Sequence, residues 1–154
     1  MDHETRTLVA GRLLAAYESR EPLEPLTSTY EGMTLEDSYA IQLLQIEQRL
    51  AAGRTVQGHK VGLTSAAMQR LLGVTDPDYG HLLDDFFHLE HMPIPVGTFL
   101  QPRVEPEIAF VLKKPLKGPG ELFGPNGLGG VVVAAGVEAT LAVALQRLCG
   151  HGDD

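Results

Sequence analysis

Two glutamates in the run QPRVEPEIAFVL, residues 101–112, are the residues best suited to chemistry in this sequence. Glu105 and Glu107 lie two positions apart in a segment that reads as a β-strand, and alternate residues of a strand share one face. Arg103 falls on that same face, and apolar residues fall on the other. Like charges on a half-buried strand resist desolvation, and a hard divalent cation such as Mg²⁺ or Mn²⁺ removes that penalty. The pair therefore fits either a metal site or a solvated polar face.

Pro106 lies between the two acids. A proline removes one hydrogen-bond donor from a strand ladder, so it indicates an edge strand or a bulge. Binding sites are commonly built at such places.

Lys60 belongs to a second predicted strand, RTVQGHKVGL at residues 54–63. Gly58 and Gly62 share its face, and small neighbours let another group approach the amine closely. A surface lysine that extends its charged end into solvent is the alternative. Asp78 lies in DPDYG, residues 76–80, which predicts a turn in which an aspartate bonds only to local backbone.

The segment HLLDDFFHLEHMPIPVG, residues 81–97, is rich in groups that could bind metal. Its spacing fits neither a zinc-binding helix nor a calcium-binding loop. We interpret it as a short strand or turn followed by a proline-bounded loop. The groups concerned are His81, Asp84, Asp85, His88, Glu90 and His91.

Three helices are predicted around these strands. The first covers residues 4–19, with an apolar stripe of Leu8, Val9, Leu13, Leu14 and Tyr17. The second begins after the N-cap Thr34 and ends at Gly53, with a stripe of Leu35, Tyr39, Leu43, Ile46 and Leu50. The third, AAMQRLL, is capped by Thr64 or Ser65 and ends at Gly73.

The composition changes after Lys117 to a glycine-rich segment with few charges. Its glycine cluster at 124–130 lacks the ending of a phosphate-binding loop and predicts a linker or turn. Leu141, Leu145 and Leu148 predict a short helix over residues 138–149.

Overall composition limits the classes of function. A chain of 154 residues suits one domain, and a net charge of −8 with a pI near 5.1 argues against nucleic acid and anionic membranes as partners. The one cysteine, Cys149, excludes an internal disulfide. The N-terminal segment lacks the apolar core of a signal peptide, and no apolar run is long enough to span a bilayer. We expect a soluble, cytoplasmic protein.

Four motifs in order give the sequence a family resemblance. TLEDSYAIQ, AAGRTVQGHKVGLTSAAMQRLLGV, PDYGHLLDD and QPRVEPEIAFVL resemble the 2-keto-4-pentenoate hydratases and the related 4-oxalocrotonate decarboxylases of the fumarylacetoacetate hydrolase superfamily. The resemblance runs from about residue 7 to residue 120. It divides the chain into 1–120, the N-terminal part of a hydratase-like domain, and 121–154, an atypical tail.

The resemblance implies an α+β fold in which N-terminal helices pack on part of a mixed β-roll, incomplete in this chain. It also implies one Mg²⁺ or Mn²⁺ per subunit, held by Glu105 and Glu107. Lys60 and Asp78 would line the site as groups for proton transfer or water orientation. The family's third acidic ligand lies on a strand reading like ALEIVDSR, which this chain lacks. Glu138 falls at a suitable distance along the chain, although its flanks differ and a helix first turn would explain it equally.

The implied activity is addition of water to 2-hydroxypenta-2,4-dienoate, giving 4-hydroxy-2-oxopentanoate in aromatic meta-cleavage catabolism. One alternative is metal-dependent decarboxylation of a 2-oxo-3-enedioate. Another is a truncated or frameshifted, inactive chain that at most associates with a full-length relative. If the fold is complete, we expect a homo-oligomer that associates with a decarboxylase of the pathway.

Overall fold

The computed structural model describes residues 1–89, 91–112 and 128–138, without the side chains of 105–106 and 128–138. These residues form two compact units, Met1–Pro102 and Arg103–Glu138. No helix among them is long and apolar enough to cross a membrane. The division of the chain at residue 120 stays a prediction.

The first unit contains four helices and one hairpin. The helices are α1 (His3–Ser19), α2 (Leu26–Thr29), α3 (Leu35–Ala51) and α4 (Ala66–Leu72), and the strands are β1 (Val56–Gly62) and β2 (Asp78–Leu83). Short 3₁₀ turns follow at Asp84–Phe86 and Val96–Thr98. The second unit is the hairpin of β3 (Arg103–Leu112) and β4 (Leu128–Glu138). The predicted helices α1, α3 and α4 and strands β1 and β3 are confirmed.

The main buried cluster of the first unit lies where α1, α2 and α3 meet. Its buried members are Val9, Ala10, Leu26 and Ile41. The predicted apolar stripe of α3 is wrong in large part, since Leu35, Leu43 and Leu50 are 52%, 46% and 42% exposed. The predicted stripe of α1 is wrong at Leu8, which is 60% exposed.

Polar residues share the buried face of α3 with Ile41. Ser38, Gln42 and Gln45 are all buried there. The Ser38 hydroxyl donates to the Thr34 carbonyl at 3.2 Å, and the Gln45 amide donates to the Ile41 carbonyl at 3.3 Å. Because these groups bond to the preceding helical turn, they can be buried at modest cost. The apolar stripe read from the sequence therefore does not identify the buried face of α3.

Asp37 fixes the start of α3. It is 1% exposed and forms a capping box with Thr34, whose backbone N–H donates to Oδ2 at 2.9 Å. Arg6 and the Met1 ammonium approach its Oδ1 at 2.7 Å and 3.0 Å. The Thr34 N–H, then the ammonium and Arg6, hold the pKa of Asp37 far below its usual range. One carboxylate thus joins the start of α1 to the start of α3.

The β1–β2 hairpin corrects the predicted turn at 76–80. Asp78 is the first residue of β2, so only the preceding residues remain outside the strand. The strands are antiparallel, with Lys60 opposite Gly80 and Gly62 opposite Asp78. Ladder bonds to β1 therefore replace the local turn bonds expected of this motif.

The β3–β4 hairpin corrects two further predictions. Leu128–Gly130 of the glycine cluster belong to β4, and Glu138 is the last residue of that strand rather than the start of a helix. Residues 124–127 and 139–149 lie outside the described residues. Within the described part, β3 pairs only with β4, as an edge strand would. The irregularity in pairing lies between Val111 and Leu112, not at Pro106.

Candidate functional site

Lys60 and Asp78 come together on one face of the β1–β2 hairpin. Asp78 lies opposite Gly62, two residues from Lys60, so the lysine and the aspartate are diagonal neighbours across the strands. Both are half-buried. The hairpin therefore brings a cationic and an anionic group, remote in sequence, to the same small area.

Gly62 provides the space that the Asp78 carboxylate occupies. A Cβ added at Gly62 would collide with Asp78 Oδ1 and lie 3.2 Å from Asp78 Cγ. Any side chain at position 62 must therefore displace the carboxylate. Gly58, on the same face, would bring its Cβ no nearer than 3.9 Å to Leu82, an ordinary contact. Gly62 thus makes room for the Asp78 carboxylate, whereas Gly58 has no such role.

Helix α3 contacts β2 at Tyr79, the residue next to Asp78. The Gln42 amide, 3% exposed, donates to the Tyr79 carbonyl at 3.4 Å. The rings of Tyr39 and Tyr79 stack with centroids 4.8 Å apart and planes 17° apart. The sequence pattern predicts only a core position for Tyr39 and no role for Gln42 or Tyr79, although all three lie within the SYAIQ and PDYG motifs. These contacts fix where Asp78 begins its strand.

Ion pairs attach the other end of β2 to the end of α3. Arg49 and Arg54 approach Asp85 at 3.5 Å and 3.4 Å, and Arg54 approaches Asp84 at 3.8 Å. The Thr55 N–H donates to Asp84 Oδ1 at 3.2 Å. Asp84 and Asp85 of the segment 81–97 therefore form ion pairs that hold the end of β2 against the end of α3.

The glutamate positions come together on the β3–β4 hairpin. Arg103 pairs with Glu138, Glu105 with Gly136 and Glu107 with Ala134. Cross-strand partners and alternate residues share a face, so positions 105, 107 and 138 lie on one face of this hairpin. The side chains of Glu105 and Glu138 lie outside what the structure describes, and Glu107 is half-buried.

The donor set on this face suits a hard cation. Glutamate is the residue type at three of its positions, carboxylate oxygen is the ligand that Mg²⁺ prefers, and a glycine and an alanine lie opposite two of these positions. Among the side chains that are described, no three of His, Cys, Asp or Glu are grouped to hold a metal. The metal role of Glu105, Glu107 and Glu138, and the catalytic roles of Lys60 and Asp78, stay predictions.

Sequence comparison finds a consistent group of relatives. The chain is 48% identical over 118 residues to a 2-oxo-hept-4-ene-1,7-dioate hydratase of Escherichia coli, which covers 77% of this chain and 44% of that protein. It is 44% identical over 121 residues to a 2-hydroxypent-2,4-dienoate hydratase of Pseudomonas putida, covering 78% and 54%. A 2-keto-4-pentenoate hydratase of Paraburkholderia xenovorans is 41% identical over 116 residues, covering 75% and 43%.

This chain is a relative of the 2-keto-4-pentenoate hydratases. It spans about half the length of the curated hydratases it matches. No protein-family model matches it.

Structure comparison agrees with the hydratase relationship. A 4-oxalocrotonate decarboxylase from Pseudomonas putida G7, complexed with calcium and acetate, superimposes with a TM-score of 0.82 and 27% identity, over 96% of this chain and 60% of that one. The same enzyme complexed with magnesium and adipate gives a TM-score of 0.77 and 26% identity. The mixed helix and sheet architecture of this chain thus matches that of the 4-oxalocrotonate decarboxylase.

Proposed function

We propose that this chain carries the proton-transfer and metal-binding segments of a divalent-metal-dependent hydratase. The substrate would be a 2-hydroxy-2,4-dienoate such as 2-hydroxypenta-2,4-dienoate, and the product the corresponding 4-hydroxy-2-oxo acid. The observation that carries this proposal is the diagonal placement of Lys60 and Asp78 on one face of the β1–β2 hairpin, in a chain up to 48% identical to named hydratases.

Lys60 and Asp78 are the proposed acid–base groups. Hydration of the dienol requires the 2-hydroxyl to lose its proton while C5 gains one, which gives the α,β-unsaturated ketone. Water then adds across C3 and C4, with its oxygen bonding to C4 and a proton going to C3. An amine and a carboxylate at diagonal positions can exchange protons with the same bound molecule. Gly62 leaves the Asp78 carboxylate room to lie against the strand, and Gln42 and Tyr39 hold β2 at the adjacent Tyr79.

Glu105 and Glu107, with Glu138 as the third position, are the proposed ligands of Mg²⁺ or Mn²⁺. Their shared hairpin face and oxygen chemistry support this assignment. A bound divalent ion would act as a Lewis acid toward the carboxylate and 2-oxygen of the substrate. The structural neighbour that was complexed with magnesium and adipate binds such an ion with a dicarboxylate.

We further propose that the two hairpins belong to a mixed β-roll of the fumarylacetoacetate hydrolase type. The superposition on the decarboxylase supports that architecture. As part of this proposal, a complete fold would form a homo-oligomer and would associate with a decarboxylase of the same pathway.

The decisive experiment follows the loss of dienoate absorbance with purified chain and Mg²⁺, before and after chelation. We expect turnover that chelation abolishes and that Mg²⁺ restores. Glu105→Gln should reduce kcat by at least about a hundredfold, because it removes a charged ligand while keeping the size of the side chain. Metal-independent decay, or a Glu105→Gln variant with full rate, would contradict the proposal.

Decarboxylation is the second candidate, favoured by the 4-oxalocrotonate decarboxylase that superimposes on the chain. The same metal ligands would serve a 2-oxo-3-enedioate, with loss of CO₂ instead of addition of water. Separate assays with the dienoate and the enedioate, the second read by CO₂ release, distinguish the two reactions.

An inactive chain that at most associates with a full-length relative is the third candidate. A formed metal site stabilises the folded protein on binding. A melting temperature unchanged by millimolar Mn²⁺, together with no turnover of either substrate, would favour this candidate over both enzymes.

A further inference from the structure

Two histidines face each other across the β1–β2 hairpin. His59 and His81 are directly paired in the antiparallel register. Their ring centroids are 4.9 Å apart, with the planes at 58°. Both lie on the face opposite to Lys60 and Asp78, because neighbouring residues of a strand alternate between faces. The pair is therefore distinct from the proposed acid–base groups.

The nitrogen atoms of this pair are suited to bind a metal. His81 Nδ1 is buried and has no hydrogen-bond partner, whereas His59 is exposed to solvent. A buried imidazole nitrogen without a partner is costly, and most such atoms in proteins are satisfied. Burial and then the nearby His59 lower the pKa of His81 below its ordinary value of 6.5, so its ring is neutral at pH 7. Metal ligation requires that neutral form.

We propose that His59 and His81 form a two-histidine site for a borderline transition-metal ion of the Ni²⁺, Cu²⁺ or Zn²⁺ class. Directly opposed strand positions place two imidazoles at the separation at which one ion can be shared. Imidazole suits these ions, whereas Mg²⁺ and Mn²⁺ prefer the carboxylate oxygens of the other hairpin. Water molecules would complete the coordination shell from the solvent-exposed side of His59, since the described side chains offer no third protein ligand.

A bound ion would join β1 to β2 through side chains as well as through the ladder. Both strands carry a residue of the proposed acid–base pair on their other face. The site would therefore stiffen the hairpin that presents Lys60 and Asp78 without contacting either of them.

The test is calorimetric titration of the full, tag-free chain carrying His3→Gln with NiCl₂ at pH 7.5 in a non-chelating buffer. His3→Gln removes the competing Ni²⁺ site that a free N-terminal amine forms with a histidine at position 3, and this chain is the unchanged protein of the comparisons below. We expect saturable binding of one equivalent and a rise in melting temperature at saturating Ni²⁺. His59→Gln and His81→Gln should each weaken binding by at least about tenfold, because loss of a direct ligand costs no less than loss of its supporting contacts.

His88→Gln is the matched control. His88 is exposed and its ring faces Phe99, with centroids 6.2 Å apart, instead of another histidine. The His88→Gln variant should bind Ni²⁺ with the same affinity as the unchanged protein. A tenfold excess of Mg²⁺ should leave the Ni²⁺ isotherm unchanged, which separates this site from the proposed carboxylate site.

Unchanged Ni²⁺ affinity in His59→Gln, or no binding at millimolar Ni²⁺, would overturn the proposal. Because His59 is exposed, this variant tests the site even if His81→Gln fails to fold. A second readout is modification by diethyl pyrocarbonate, from which Ni²⁺ should protect two histidines in the unchanged chain. Neither measurement depends on turnover, so the hydratase proposal can fail while this one stands.

Discussion

The two units of this chain differ in how their apolar residues are used. In the first unit, Val9 and Ile41 are 0% and 1% exposed between α1 and α3. In the β3–β4 hairpin, Val104 and Ile108 are 74% and 63% exposed, although they alternate with the polar positions as a core face would. An isolated two-stranded hairpin is marginally stable in water. The first unit thus contains its own core, whereas the second has a core-type face without a core among the described residues.

The sharpest test of this difference is the same substitution in both units. Ile41→Ala should destabilise the chain by about 2–5 kcal/mol, because it leaves a cavity between the helices. Ile108→Ala should change stability by less than about 0.5 kcal/mol, as expected at an exposed position. Urea unfolding monitored by circular dichroism measures both. Equal losses would show that Ile108 is buried in solution and would remove the contrast.

Asp37→Asn should cause the next largest loss. The substitution removes the buried carboxylate charge with which both Arg6 and the Met1 ammonium form ion pairs, and it leaves these cations without that partner. The melting temperature should therefore fall by on the order of 10 °C. Glu36→Gln, one residue earlier and exposed, is the control and should have little effect.

The stability due to Asp37 should also depend on pH. Its folded pKa is depressed, so the contribution is complete above the ordinary value of 3.8 and is lost as the pH falls below it. The Asp37→Asn variant should therefore lose less stability than the unchanged chain between pH 5 and pH 2. Parallel acid curves would contradict this.

Gly62→Ala should act on the site more than on the fold. The new methyl group displaces the Asp78 carboxylate, so turnover should fall by at least about tenfold. The free energy of unfolding should decrease by about 1–3 kcal/mol. Gly58→Ala, on the same strand face, has space for its methyl group and should retain most of the rate. Equal rates for the two variants would mean that Asp78 is not needed in that position.

The exposed face of the β3–β4 hairpin should promote association of chains. Val104→Thr with Ile108→Thr keeps strand propensity and adds polarity, so light scattering at a given concentration should decrease. The melting temperature of the first unit should stay the same. Scattering that is unaffected would indicate that this face is already covered in solution.

The sequence predicted best those features that local signals determine. Thr34, Ser65, Gly53 and Gly73 marked helix ends correctly because caps and left-handed glycines act within one turn. The buried face of α3 could not be predicted, since Gln42 and Gln45 are buried through bonds to backbone that hydropathy does not register. Asp78 was assigned to a turn because the ladder that makes it a strand residue comes from β1, remote in sequence.

The candidate site was predicted as residues but not as an arrangement. The resemblance named Lys60, Asp78, Glu105 and Glu107, yet only the register shows that Gly62 makes room for Asp78. Glu138 was assigned to a helix because its local flanks favour one. Pairing with Arg103 instead places it on β4. Long-range pairing, which carries no local signal, accounts for each of these differences.

The register of the first hairpin also has a consequence for how this protein could be altered. Residues 63–77 leave β1 at Gly62 and return at Asp78, which are direct partners, and α4 within this segment has no buried residue. The positions of Lys60 and Asp78 are therefore set by the strands and not by the segment that joins them. This makes 63–77 a natural graft point, where a loop of different length or chemistry could be inserted while the proposed acid–base groups keep their positions.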